Sequence, residues 1–91
     1  MKSDEPSAED VRLAELLGRE IAAARVRRKL TQRELADRAG FSPSGLRNWE
    51  SGARTPTVAH LVVLAKVLGA NAGDWMNAAQ DALDKNLGPD A

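Results

Sequence analysis

The chain has 91 residues, enough for one domain with a small core and too few for a second folded unit. Hydrophobic residues make up 43%, and with no cysteine the chain can hold neither disulfides nor thiolate metal sites. The formal net charge is zero, but it is unevenly spread. Between Arg19 and Arg54 nine basic residues face four acidic ones, a balance of +5, and the remainder carries −5. Fields act over about a Debye length, ~8 Å in physiological salt, so this segregation weighs more than the sum and leaves a polyanionic partner open. No apolar run reaches the roughly 18 residues of a membrane span. The start, MKSDEPSAED, lacks the basic and apolar blocks of a secretory signal, so a cytoplasmic protein is expected.

In chain order, residues 1–7 read as a disordered acidic tail. A first helix is expected from about Ala8 to Arg28, with Ser7 as N-cap, Asp10 three residues on, and an apolar stripe of Leu13, Leu17, Ile21 and Ala24. Thr31-Gln-Arg-Glu34 is a capping box that opens a second helix, closed by Gly40. Ser42-Pro43 starts a third as N-cap and first-turn proline, and Ser51-Gly52 ends it. After the loop Ala53-Arg-Thr-Pro56, Thr57 caps a fourth helix that stops at Gly69. Asn71 and Asp74 begin a fifth, carrying Trp75, Met76, Ala79 and Leu83. Residues 85–91 read as a second disordered tail, so the folded domain is expected over 8–84. The expected class is all-α, a compact five-helix domain.

Residues 31–52, TQRELADRAGFSPSGLRNWESG, place two short helices around a tight turn. Ala36 falls where they must cross, and Leu35, Ala39, Phe41, Leu46 and Trp49 are expected to face inward. The open face of the third helix is Ser44, Arg47, Asn48 and Ser51, at i, i+3, i+4 and i+7. This stripe has donors and acceptors and no carboxylate. A major groove about 12 Å wide admits such a helix, and side chains of this kind read base edges.

TQRELADRAGFSPSGLRNWESGARTP resembles the helix-turn-helix of the phage repressor/Cro family, the XRE-type bacterial regulators. The similarity runs from about Leu17 to Met76, and WE-x-G-x-x-x-P is one of its more specific marks. The resemblance implies a five-helix, usually dimeric domain whose third helix enters the major groove of a double-stranded DNA operator. Carried over by position, Gln32 is expected to hold a phosphate and brace the third helix. Pro43, Ser44, Gly45 and Asn48 occupy base-contacting places, and Ser42, Arg47, Arg54 and Thr55 phosphate-contacting ones. Pro43 has no hydrogen-bonding side chain and Gly45 has none at all, so direct readout falls mainly on Ser44 and Asn48. DNA shape is left a share of the specificity.

Arg25 and Glu50 each lie one turn beyond an apolar residue of their own helix, and two opposite charges at the edge of a core should pair. The resemblance implies the same bridge, read here as structural. His60, the sole histidine, lacks the partners that acid/base chemistry or metal binding would need, so neither an enzyme, a cofactor nor a metal is expected. The fourth helix is apolar almost all round. With the fifth it is read as a homodimer interface of Val58, Val62, Trp75, Ala79 and Leu83, the alternative being a helix central in the core. A dimeric transcriptional repressor is the leading expectation. An antitoxin-like protein binding a toxin or another regulator through the fourth and fifth helices, and a controller of a restriction–modification locus, are the rivals.

Overall fold

In the computed structural model, which describes Glu5 and residues 7–86, five helices follow one another: α1 (Ala8–Arg27), α2 (Gln32–Ala39), α3 (Pro43–Ser51), α4 (Val58–Leu68) and α5 (Ala72–Asn86). No strand occurs among the described residues. The expected tails at 1–4, 6 and 87–91 lie outside them, whereas Ser7 is the N-cap of α1 and α5 runs on to Asn86.

Local side-chain chemistry sets the helix ends. Ser7, Thr31 and Thr57 each accept from the backbone N–H three residues on, and Asp10, Glu34 and His60 reciprocate by accepting from the cap's own N–H. Each box satisfies two donors that a helix start leaves orphaned. At Glu34 the hydrogen bonds from the Thr31 backbone N–H and then the Thr31 hydroxyl hold the carboxyl below its usual range. Protonating that carboxylate forfeits the box, so its contribution is present above the unfolded-state pKa and is lost as pH falls through the folded one. Ser42 caps α3 with Pro43 in its first turn, and Asn71 Oδ1 accepts from the Asp74 N–H at 3.2 Å to start α5. After α1 the chain turns through Lys29, a non-glycine residue at φ 58°.

The core takes one stripe from each helix. Ile21, Leu35, Leu46 and Leu64 are its fully buried centre, with Leu17, Ala24, Ala36, Trp49, Leu61, Leu68, Trp75, Ala79 and Leu83 around them. The α1 stripe departs from expectation at one end. Leu13 is 38% exposed, while Ala14 and Leu16 are buried. Where α1 passes α3 its contact residue is Gly18. A Cβ there would fall on the backbone carbonyl oxygens of Trp49 and Glu50, so only glycine lets the two backbones approach this closely. The fourth helix divides its apolar surface: Leu61, Leu64, Ala65 and Leu68 are buried, Val67 is partly buried against them, and Val58, Val62 and Val63 remain exposed.

Candidate nucleic-acid interface

The turn between α2 and α3 is built from Gly40 and Phe41. Gly40 stands at φ 79°, and with no atom within 4 Å of an added Cβ its requirement is conformational rather than steric. The next residue, Phe41, returns its N–H to the Ala36 carbonyl at 2.9 Å. Ala36, with no exposed surface, fills the crossing.

On the inner side α3 is held at several points. Leu46 is fully buried, and Trp49 packs edge-on to Phe41 with ring centroids 5.1 Å apart. His60 of α4 completes a three-ring cluster, 4.4 Å from Trp49 and 5.3 Å from Phe41 by ring centroids, its Nδ1 accepting from the Thr57 N–H. Glu50 joins three helices. It receives Arg25 Nε at 2.7 Å and Nη2 at 3.0 Å from α1, and Gln32 Nε2 at 3.0 Å from α2. Arg25 also donates to the Leu30 carbonyl at 2.7 Å. The side chains of this pair are only 16% and 6% exposed, and the fork of bonds supplies partners that a shielded carboxylate requires.

The outer side is left to solvent. Ser44, Arg47 and Ser51 are exposed and Asn48 is half-buried, so the i, i+3, i+4, i+7 stripe forms one polar face. Pro43 and Gly45 are half-buried at the head of α3. A Cβ on Gly45 would approach Ser42 Oγ to 2.9 Å, the same oxygen that accepts from the Gly45 N–H to cap the helix. Ser42, whose oxygen accepts that bond, keeps its hydroxyl hydrogen available to an outside acceptor. Arg54 and Thr55 are exposed in the following loop, which is tied back by the Arg54 N–H to the Asn48 carbonyl at 3.1 Å. Gln32 is half-buried, with its amide nitrogen committed to Glu50, the bracing part of what was expected of it.

A family model described as helix-turn-helix matches residues 21–75, well over half of the chain. The chain belongs to the helix-turn-helix family. Over 59 residues this helix-turn-helix protein is 41% identical to an uncharacterized HTH-type transcriptional regulator, y4dJ of Sinorhizobium fredii, spanning 65% of this chain and 77% of that one. Its fold is similar to the clp gene regulator ClgR of Corynebacterium glutamicum, with a TM-score of 0.75 and 28% identity over 82% of this chain and 80% of that one. The restriction-modification controller protein C.AhdI of Aeromonas hydrophila shares the fold at a TM-score of 0.66 and 22% identity, over 68% of this chain and 94% of that one. The protein is a DNA-binding helix-turn-helix transcriptional regulator, not an enzyme.

One part of the expected dimer surface needs correction. Trp75, Ala79 and Leu83 are 3%, 1% and 8% exposed in the single chain, because α5 packs along α1 and uses that stripe for its own core. Most of their surface is thus taken up within the chain, although Ala79 and Leu83 also line an open groove beside Val58. Val58 at 64% and Val62 at 46% do reach solvent, as does Met76 at 41%. Among the described residues no helix is long and apolar enough to cross a membrane.

Three contributors escaped the sequence reading. Gly18 could have been found as a lone glycine inside a long amphipathic helix, a pattern that points to close packing. Arg28 donates from Nε to the Leu68 carbonyl at 2.9 Å and so caps the end of α4. His60 caps Thr57 at the usual three-residue spacing and is also an aromatic neighbour of the third helix, a contact that no spacing announces.

Proposed function

We propose that the protein is a dimeric operator-binding repressor of the cytoplasm that places α3 in the major groove. The observation that carries this is the two-sidedness of α3: Leu46, Trp49 and Glu50 fix its inner side, and Ser44, Arg47, Asn48 and Ser51 form a polar face toward solvent. Ser44 and Asn48 read base edges, with Pro43 and Gly45 close to the groove floor. Ser42, Arg47, Arg54, Thr55 and Gln32 meet the phosphates on either side. Selection from a random duplex library tests it. Two half-sites related by a two-fold axis, about 34–36 Å apart or a multiple of that, are expected. Enrichment of no common sequence would contradict the reading.

Arg54 positions rather than reads. Arg54→Ala is expected to weaken all sequences alike and to reduce the slope of log affinity against log salt by about 0.9 for each phosphate that is no longer neutralised. Titrations at several salt concentrations measure it, and an unchanged slope would remove Arg54 from the interface.

The copies pair through the exposed strip Val58 and Val62 of α4. Val62→Glu is expected to give a folded, one-copy species by sedimentation. Its operator binding should be weaker by on the order of 10²-fold, since linked half-sites gain by effective concentration. A wild-type chain that sediments as one copy at high concentration and on DNA would contradict pairing. Leu83→Glu is no substitute for this test, because Leu83 lies in the core.

A further inference from the structure

Beside the exposed α4 strip, the first half of α1, the loop before α4 and α5 enclose an open groove of about 500 Å³. Leu13, Leu17, Val58 and Met76 supply apolar walls, which accounts for the exposure of Leu13. The charged side chains lining it, among the described residues, are Glu9 and Asp84, both exposed acids. The chain outside residues 19–54 holds five more acidic than basic residues, so the wider field has the same sign.

We propose that this groove docks a cationic amphipathic segment of another protein, its apolar side chains among Leu13, Val58 and Met76 and its Lys or Arg heads on Glu9 and Asp84. A volume in the range of about 300–1,000 Å³ takes a few side chains, as helix-in-groove recognition requires. A second copy fits poorly, because a two-fold contact at this groove would set Glu9 and Asp84 of one chain against those of its partner. DNA is repelled by the same acids. Val58 also belongs to the strip proposed for pairing, so an occupant competes with the second copy and lowers operator affinity. That consequence, unlike the docking itself, rests on the dimer reading.

The test uses the full chain, isotope-labelled, with a short amphipathic helical peptide of leucine and lysine as probe and its leucine–glutamate counterpart as control. The lysine peptide is expected to shift the amides of Leu13, Met76 and Asp84, and to bind at least tenfold more tightly there than the control. The pair of substitutions Glu9→Gln and Asp84→Asn, at exposed positions, should remove that preference with the helical spectrum unchanged. Equal binding of the two peptides at these residues, or shifts confined to α2 and α3, would overturn the proposal. Sedimentation of the same samples separates the two readings. Loss of a two-copy species on adding the lysine peptide supports competition. A one-copy species without peptide contradicts pairing alone, and the amide shifts still decide docking.

Discussion

Glu50→Ala is expected to destabilise the protein by about 3–5 kcal/mol, the range for breaking a buried ion pair by removing one partner. The loss exceeds that of one bond because three donors converge on this carboxylate: Arg25 Nε, Arg25 Nη2 and Gln32 Nε2. Without it the Arg25 guanidinium, 16% exposed as a side chain, retains the Leu30 carbonyl and little else. A domain of this size has a total stability of roughly 5–10 kcal/mol, so the variant should be close to the folding threshold. Its melting midpoint should fall by roughly 20 °C. Replacing both partners with apolar residues, Arg25→Met with Glu50→Leu, should recover much of the loss, because no charge is then stranded. A midpoint unchanged within about a degree for Glu50→Ala would mean that the pair is solvated and contributes nothing.

Gly18→Ala should also be damaging, although alanine favours a helix over glycine by about 1 kcal/mol. The added methyl would meet the carbonyl oxygens of Trp49 and Glu50, and the Glu50 carbonyl carbon at 2.8 Å. Those are backbone atoms, so a rotamer change gives no relief and the helices must part. Overpacking costs about 1–3 kcal/mol, backbone shifts included, and the upper end applies here, so after the helix gain a net loss of about 2 kcal/mol is expected in denaturant unfolding. Parting α1 from α3 also strains the Arg25–Glu50 bonds, and operator affinity should fall with stability. A Gly18→Ala variant as stable as the wild type would show that the α1–α3 crossing has room for a methyl group.

How much of this could be read from the sequence depended on the range of the interaction. The capping residues Ser7, Thr31, Ser42 and Thr57 act on backbone groups three positions away, and glycines 40, 52 and 69 end helices through their own φ, so all five helices were legible. The polar face of α3 was legible too, since helical spacing alone brings Ser44, Arg47, Asn48 and Ser51 together. The spacing of apolar residues tells which face of a helix avoids water, but not what covers it. For that reason Trp75, Ala79 and Leu83 pointed as readily to a second copy as to α1, which is where they pack. Leu13 and Leu16 differ in burial for a similar reason: apolar spacing does not show that Leu13 lines an open groove while Leu16 joins the core. His60 and Gly18 act across long stretches of chain, on Trp49 and on Glu50; a lone glycine in a helix signals close packing, but no local pattern names the partner.

Whether α3 reads base pairs is probed most directly at Asn48. The residue lies one turn into α3 on the open face, and an amide can accept from adenine N6 while donating to N7. The measurement is the affinity of Asn48→Ala for the selected operator and for random duplex at one salt concentration. Base reading by α3 requires a loss of about 1–3 kcal/mol on the operator, with preference relaxed at one base pair per half-site and random binding almost unchanged. Equal weakening on operator and random DNA would contradict it.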